Sequence, residues 1–197
     1  MRIPQISWAR LISNILSPPV IWSFLAFPIA FREAASPQQA LLWAFTYCIM
    51  VCLLPGIYIG YMVWRGQITD LHMEVRKERI RPFLVSLIGT ALAWGLLHLM
   101  GAPLLLSTFS VVSFVLLGTM LLVTLVWQIS MHSMSITCAV VATGALYGIG
   151  PALLISPLIP VVGVARLKLR RHTVAEVVAG SLVGACVTVI LLLILNP

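Results

Sequence analysis

The chain has 197 residues, 61% of them hydrophobic and 9% charged, with a mean hydropathy of +1.09. A soluble domain is about 45–50% apolar and about 25% charged, and a disordered chain combines low hydropathy with high charge, so both classes are excluded. Twelve Lys and Arg against five Asp and Glu give a net charge of +7. Chemistry that needs several carboxylates around a divalent metal is therefore nearly unavailable, while cytoplasmic loops, anionic headgroups or a phosphate-bearing substrate fit the basic excess.

The opening stretch MRIPQISWARLISNILSPPV has no small-residue cleavage site behind a short apolar core, so it is expected to be a first anchor rather than a signal peptide. A membrane helix needs about 20 apolar residues. Seven runs come near that length: 10–31, bent at Pro18-Pro19; 39–64, interrupted at Pro55-Gly56; 83–100; 104–127; 132–149; 152–165; and 173–195. Only 148–151 divide the fifth run from the sixth. The four cysteines, Cys48, Cys52, Cys138 and Cys186, all lie inside apolar runs, which suits small buried residues better than a disulfide framework. The expected fold is all-α: a polytopic integral membrane bundle of about six to seven transmembrane helices, forming one domain over 1–197.

Alternating crossings put the polar stretch 65–82, the turn at 130–133 and the basic stretch 166–172 on one membrane face. That face carries eleven of the twelve basic residues; the other carries Arg32 beside Glu33. Such a distribution describes a site on one surface, not a pore.

The segment ARLKLRRHTVAEVVAG carries the strongest chemical signal. His172 and Glu176 are four residues apart at a helix start, so they share a helix face within hydrogen-bond reach. A carboxylate on one imidazole nitrogen fixes the tautomer and raises the nucleophilicity of the other. The first turn of a helix also favours anions, and Arg166 can grip phosphate oxygens through a planar fork. A positive-inside stop is the structural alternative for this basic run. In WQISMHSMS, His132 at a helix start is the best available proton donor to a leaving oxygen, or else a hydrogen-bonded interfacial histidine. In DLHMEVRKERIRPF, the cations Arg76, Lys77, Arg79 and Arg81 suit the charge of a phosphoryl group in transfer, or anionic lipid heads. Asp70, Glu74 and Glu78 are placed to neutralise part of that charge. Gly180 and Gly184 form a G-x-x-x-G suited to close helix packing.

Together these segments resemble the type 2 phosphatidic acid phosphatase family of membrane lipid phosphatases, whose pattern is K-x6-R-P, then P-S-G-H, then S-R-x5-H-x3-D. The third motif reads A-R-x5-H-x3-E from Ala165 to Glu176, with both spacers intact. Ala165 stands for the serine and Glu176 for the aspartate. The second motif survives as I-S-M-H, ending at His132. In the first, Arg81-Pro82 supplies R-P but Glu74 occupies the lysine position, so Arg76, Lys77 or Arg79 must provide that cation. Two apolar runs separate the first two motifs, more than the family usually has. The chain is placed as a divergent member. The resemblance implies a metal-free mechanism without cofactor: His172 attacks phosphorus to give a phosphohistidine and Glu176 orients it. His132 protonates the leaving group and later activates water. Arg166, with Arg76, Arg79 and the neighbouring Lys77 and Arg81, stabilises the phosphoryl group.

Prenyl and alcohol phosphatidyl transferases hold magnesium on aspartate-rich motifs, and this chain has one aspartate, Asp70. A transporter, or a catalytically inactive lipid-phosphate-binding protein, remains as the rival class. The expected partners are the bilayer and a lipid phosphate (phosphatidate, phosphatidylglycerol phosphate or a polyprenyl mono- or diphosphate), with no nucleic acid; the sequence sets no oligomeric state. With the five site cations 76, 77, 79, 81 and 166 set aside, six basic residues remain on the site face against one opposite. The positive-inside rule then puts the site on the cytoplasmic face of the cell (inner) membrane, the N-terminus inside and Pro197 outside.

Overall fold

The computed structural model describes residues 7–71, 73 and 75–195, and among them every regular element is a helix. In chain order these are α1 (Trp8–Ile15), α2 (Pro18–Glu33), α3 (Pro37–Trp64), α4 (Arg76–Leu99), α5 (Leu104–Val126), α6 (Met131–Tyr147), α7 (Ile149–Lys168) and α8 (Val174–Leu195). Helices α3, α4, α5, α7 and α8 are each long and apolar enough to cross a bilayer, and α1 with α2 passes as one span bent by 43°. With the shorter apolar α6, the protein is an all-α, multi-pass membrane bundle. Arg2, Glu74 and Pro197, on which parts of the topology and motif expectations rest, lie outside the described residues.

Glycine and proline set most of the boundaries. The α1–α2 bend falls at Pro18, as the sequence indicates. The interruption expected at Pro55-Gly56 does not occur. Instead Ile49–Leu53 widens into a π turn, with the Leu54 N–H bonded to the Ile49 carbonyl, and α3 runs on to Trp64. Proline has no N–H for the carbonyl four residues back, and a local shift to five-residue spacing takes up that register without ending the helix. Gly148, at φ +91, parts α6 from α7. Pro151 falls in the first turn of α7, where its missing N–H costs nothing, so α7 begins at Ile149 and continues past Arg166. Helix α4 starts inside the polar stretch 65–82, through a 3-10 turn at Arg76–Arg79.

Side chains are sorted for lipid. Phe24, Leu99, Val126, Leu154 and Leu193 are exposed. Ser86, Thr90, Ser110, Ser113 and Thr188 are buried, each hydroxyl donating to the carbonyl four residues earlier. Where no water can solvate them, small polar groups face the interior and bond locally.

The chain divides into two compact units. One comprises 22–128 and 189–197, with most of α2, all of α3, α4 and α5, and the end of α8. Inside it Tyr47 on α3 is hydrogen-bonded to Ser113 on α5 at 2.6 Å. Gly89 on α4 meets the Met50 carbonyl at the π turn, where a Cβ would not fit. The other unit comprises 1–21 and 129–188, with α1, α6, α7 and most of α8. Here α6 and α8 run side by side in the same direction: Gly180 faces the Ser130 carbonyl and Gly184 faces the Met134 carbonyl. The G-x-x-x-G therefore packs within the chain, with backbone against backbone.

Candidate active site

Two helix-end devices, back to back, build the segment from Ala165 to Glu176. Helix α7 closes in a Schellman motif. Arg171 N–H donates to the Arg166 carbonyl at 3.1 Å and Arg170 N–H to the Leu167 carbonyl at 2.9 Å, with Arg170 left-handed at φ +54. Helix α8 opens in a capping box. Glu176 N–H donates to Thr173 Oγ1 at 3.3 Å, and Thr173 N–H donates to Glu176 Oε2 at 2.9 Å. His172 is the one residue between the two devices. Its side chain is 2% exposed, and its Nδ1 lies 3.1 Å from the same Glu176 Oε2. A carboxylate accepts and does not donate, so Nδ1 carries a proton and donates it to Glu176. The R-x5-H-x3-E spacing is the length of one helix stop plus one helix start.

Glu176 has a second attachment. Its backbone carbonyl accepts the Ser130 N–H at 3.0 Å. Ser130 caps α6 by accepting the Ser133 N–H, and His132 sits in the first turn of that helix, buried. The starts of α6 and α8 thus adjoin, and two positive helix ends come together beside the histidines.

Arg166, buried near the end of α7, donates from Nη1 to Ser13 Oγ at 2.6 Å. His132 Nε2 lies 3.0 Å from the Ser13 carbonyl and 3.4 Å from Ser13 Oγ. Ser13 lies in the last turn of α1, where carbonyls have no partner within the helix. Because a carbonyl only accepts, Nε2 is the donor to it. Lys168 Nζ stacks 4.9 Å over the Trp8 ring, a second fastening of α1 to α7. Ser13 is not among the residues the sequence singles out. In the fold Ala9 and Ser13, one turn apart, are the two buried residues of α1.

The structure brings His132 and Arg166 together on Ser13, and joins the His172–Glu176 pair to the start of α6. These four predicted residues belong to one unit; Arg76, Lys77, Arg79 and Arg81 belong to the other. There Arg76 Nη1 donates to the Thr124 carbonyl at 3.1 Å, capping the end of α5. Arg79, buried, donates from Nε to the Met73 carbonyl at 2.7 Å. Lys77 and Arg81 are exposed. Glu78 Oε2 accepts from the Thr69 N–H at 3.0 Å and hydroxyl at 2.7 Å, so it organises the loop before α4. Among the described residues, no three His, Cys, Asp or Glu side chains converge as a metal site requires.

Fold and geometry define a class: a polytopic helical membrane protein in which one unit carries a buried histidine paired with a half-buried glutamate, a second buried histidine and a buried arginine. No protein-family model matches the chain, and no curated protein or solved structure matches it either.

Proposed function

We propose that the protein hydrolyses the phosphate ester of a membrane lipid through a phosphohistidine on His172, using protein cations rather than a metal. The observation that carries this is the hydrogen bond from His172 Nδ1 to a carboxylate oxygen that the Thr173 N–H also holds. It orients a buried imidazole through Nδ1, so that in the neutral ring Nε2 is the nitrogen with the lone pair a nucleophile needs. Supporting it are the adjoining starts of α6 and α8, which favour an anion, and Arg166 as a planar donor for phosphate oxygens. The site's side chains sit at helix ends rather than mid-helix, the depth at which a lipid headgroup lies.

In the proposed reaction His172 Nε2 attacks phosphorus and the bond to the lipid oxygen breaks. His132 gives its Nδ1 proton to that oxygen, releasing the lipid alcohol or a lipid monophosphate. Water then attacks the phosphohistidine and loses a proton to His132, and inorganic phosphate leaves with His172 restored. Arg166 spreads the charge of the phosphoryl oxygens in both steps, and Glu176 stabilises the imidazolium. Arg76, Lys77, Arg79 and Arg81 are proposed to draw the anionic headgroup to the membrane face. The positive-inside count favours the cytoplasmic face of the cell membrane for this site.

The test is phosphate release by the detergent-purified protein from phosphatidate, phosphatidylglycerol phosphate and polyprenyl phosphates, with and without chelator. Release that persists in chelator is expected. No release from any of them, or release that needs added divalent metal, refutes the proposal.

A further inference from the structure

Ser13 is the point on which the buried side chains of Arg166 and His132 converge. Arg166 reaches it from α7 and His132 from α6, across 153 and 119 residues of sequence. Arg166 uses the hydroxyl, while His132 Nε2 lies nearer the carbonyl, at 3.0 Å, than the hydroxyl, at 3.4 Å. The hydroxyl receives one N–H of Arg166 at 2.6 Å, a fixed point for the plane of the guanidinium. The carbonyl receives Nε2–H of His132, which orients the ring and keeps a proton on Nε2. Ser13 is 1% exposed, and Ala9, one turn earlier on the same face, is fully buried, so α1 is closely seated. The stacking of Lys168 on Trp8 holds the same helix against the end of α7.

We infer that Ser13 is a positioning residue for the phosphate site, through which α1 aims the Arg166 guanidinium and sets the tautomer of His132. This rests on the phosphatase reading, in which His172, His132 and Arg166 meet the substrate; Ser13 touches no reacting atom. The hydroxyl contact is the one a side-chain substitution removes. Its loss removes one of the contacts that orient the Arg166 guanidinium towards the phosphoryl oxygens in transfer, so the effect falls on kcat more than on KM.

The experiment uses the full-length protein in detergent, with orthovanadate as a probe because it adopts the five-coordinate geometry of a phosphoryl group in transfer. Three quantities are read for wild type, Ser13→Ala and Ser13→Thr: kcat and KM on the lipid phosphate, inhibition by vanadate, and the rise in melting temperature that vanadate produces. For Ser13→Ala, kcat is expected to fall about tenfold, the scale of one hydrogen bond to a charged group. KM should change little, and vanadate inhibition and vanadate stabilisation should weaken with kcat. Ser13→Thr keeps the hydroxyl and is expected to recover most of the loss. A lower melting temperature in Ser13→Ala with kcat and vanadate affinity unchanged overturns the inference and leaves Ser13 a packing residue. A wild type that releases no phosphate refutes the phosphatase reading. Vanadate stabilisation still decides the role of Ser13 in that case: equal in wild type and Ser13→Ala, or absent from both, it overturns the inference.

Discussion

Replacing Glu176 with glutamine separates the two tasks of one carboxylate oxygen. Oε2 accepts from His172 Nδ1 at 3.1 Å and from the Thr173 N–H at 2.9 Å. A glutamine carbonyl can still accept from the Thr173 N–H, so the helix cap largely survives. What is lost there is the charge in the first turn, worth about 0.3–1 kcal/mol. The His172 ring loses more. Its partner stops being an anion, and a hydrogen bond to a charged group is worth roughly 1.5–3 kcal/mol, or about tenfold to a hundredfold in rate. An amide turned the other way presents N–H to Nδ1, which moves the lone pair off Nε2 and deepens the loss. Thr173→Ala is the complementary change. It removes the acceptor of the Glu176 N–H, costing about 1 kcal/mol of stability, while the Thr173 N–H still holds Oε2. Phosphate release and thermal unfolding, measured on both variants, should therefore move in opposite ways: Glu176→Gln loses turnover with a small drop in melting temperature, and Thr173→Ala the reverse. Turnover of Glu176→Gln within about twofold of wild type would confine Glu176 to a capping role and refute the reasoning.

Gly184→Ala drives a Cβ into the Met134 carbonyl and should lower stability by about 1–3 kcal/mol or more. Gly56→Ala, with open space around it, should instead be neutral or gain up to about 1 kcal/mol; unfolding of the two variants in detergent checks the contrast. Arg170→Gly should raise the melting temperature by relieving a left-handed residue at φ +54, a gain of about 1 kcal/mol; an unchanged melting temperature means the charge lost there matters as much as the backbone. Single cysteines placed in the loop 66–69, on a background without the four native ones, should resist a membrane-impermeant thiol reagent in intact cells and react after permeabilisation. Labelling of intact cells would move the site to the outer face.

Helix number, helix type and most helix ends follow from where apolar runs meet Pro, Gly and charge. The run at 104–127 became α5 almost residue for residue, since nothing within it competes with a helix. Pro55 misleads because a proline's effect depends on whether the backbone can change register locally, and Gly89 leaves room for the Met50 carbonyl there. The His172–Glu176 contact is legible because both residues share one helix start, where spacing is geometry. Ser13 is not legible for the opposite reason: its partners come from remote helices, and a serine inside an apolar run looks like any small residue. The roles of Arg76 and Arg79 were open to two readings in the sequence, and each donates to a nearby backbone carbonyl in the fold.

The central claim is that phosphate passes through His172, and a covalent intermediate tests it most directly. The protein is mixed with lipid phosphate in the presence of chelator, quenched in base, where phosphohistidine survives, and its mass measured intact and by peptide. One added phosphoryl group is expected on the peptide that carries His172, and neither that adduct nor turnover is expected in His172→Ala. A phosphoryl group on another residue, or undiminished phosphate release by His172→Ala, would contradict it.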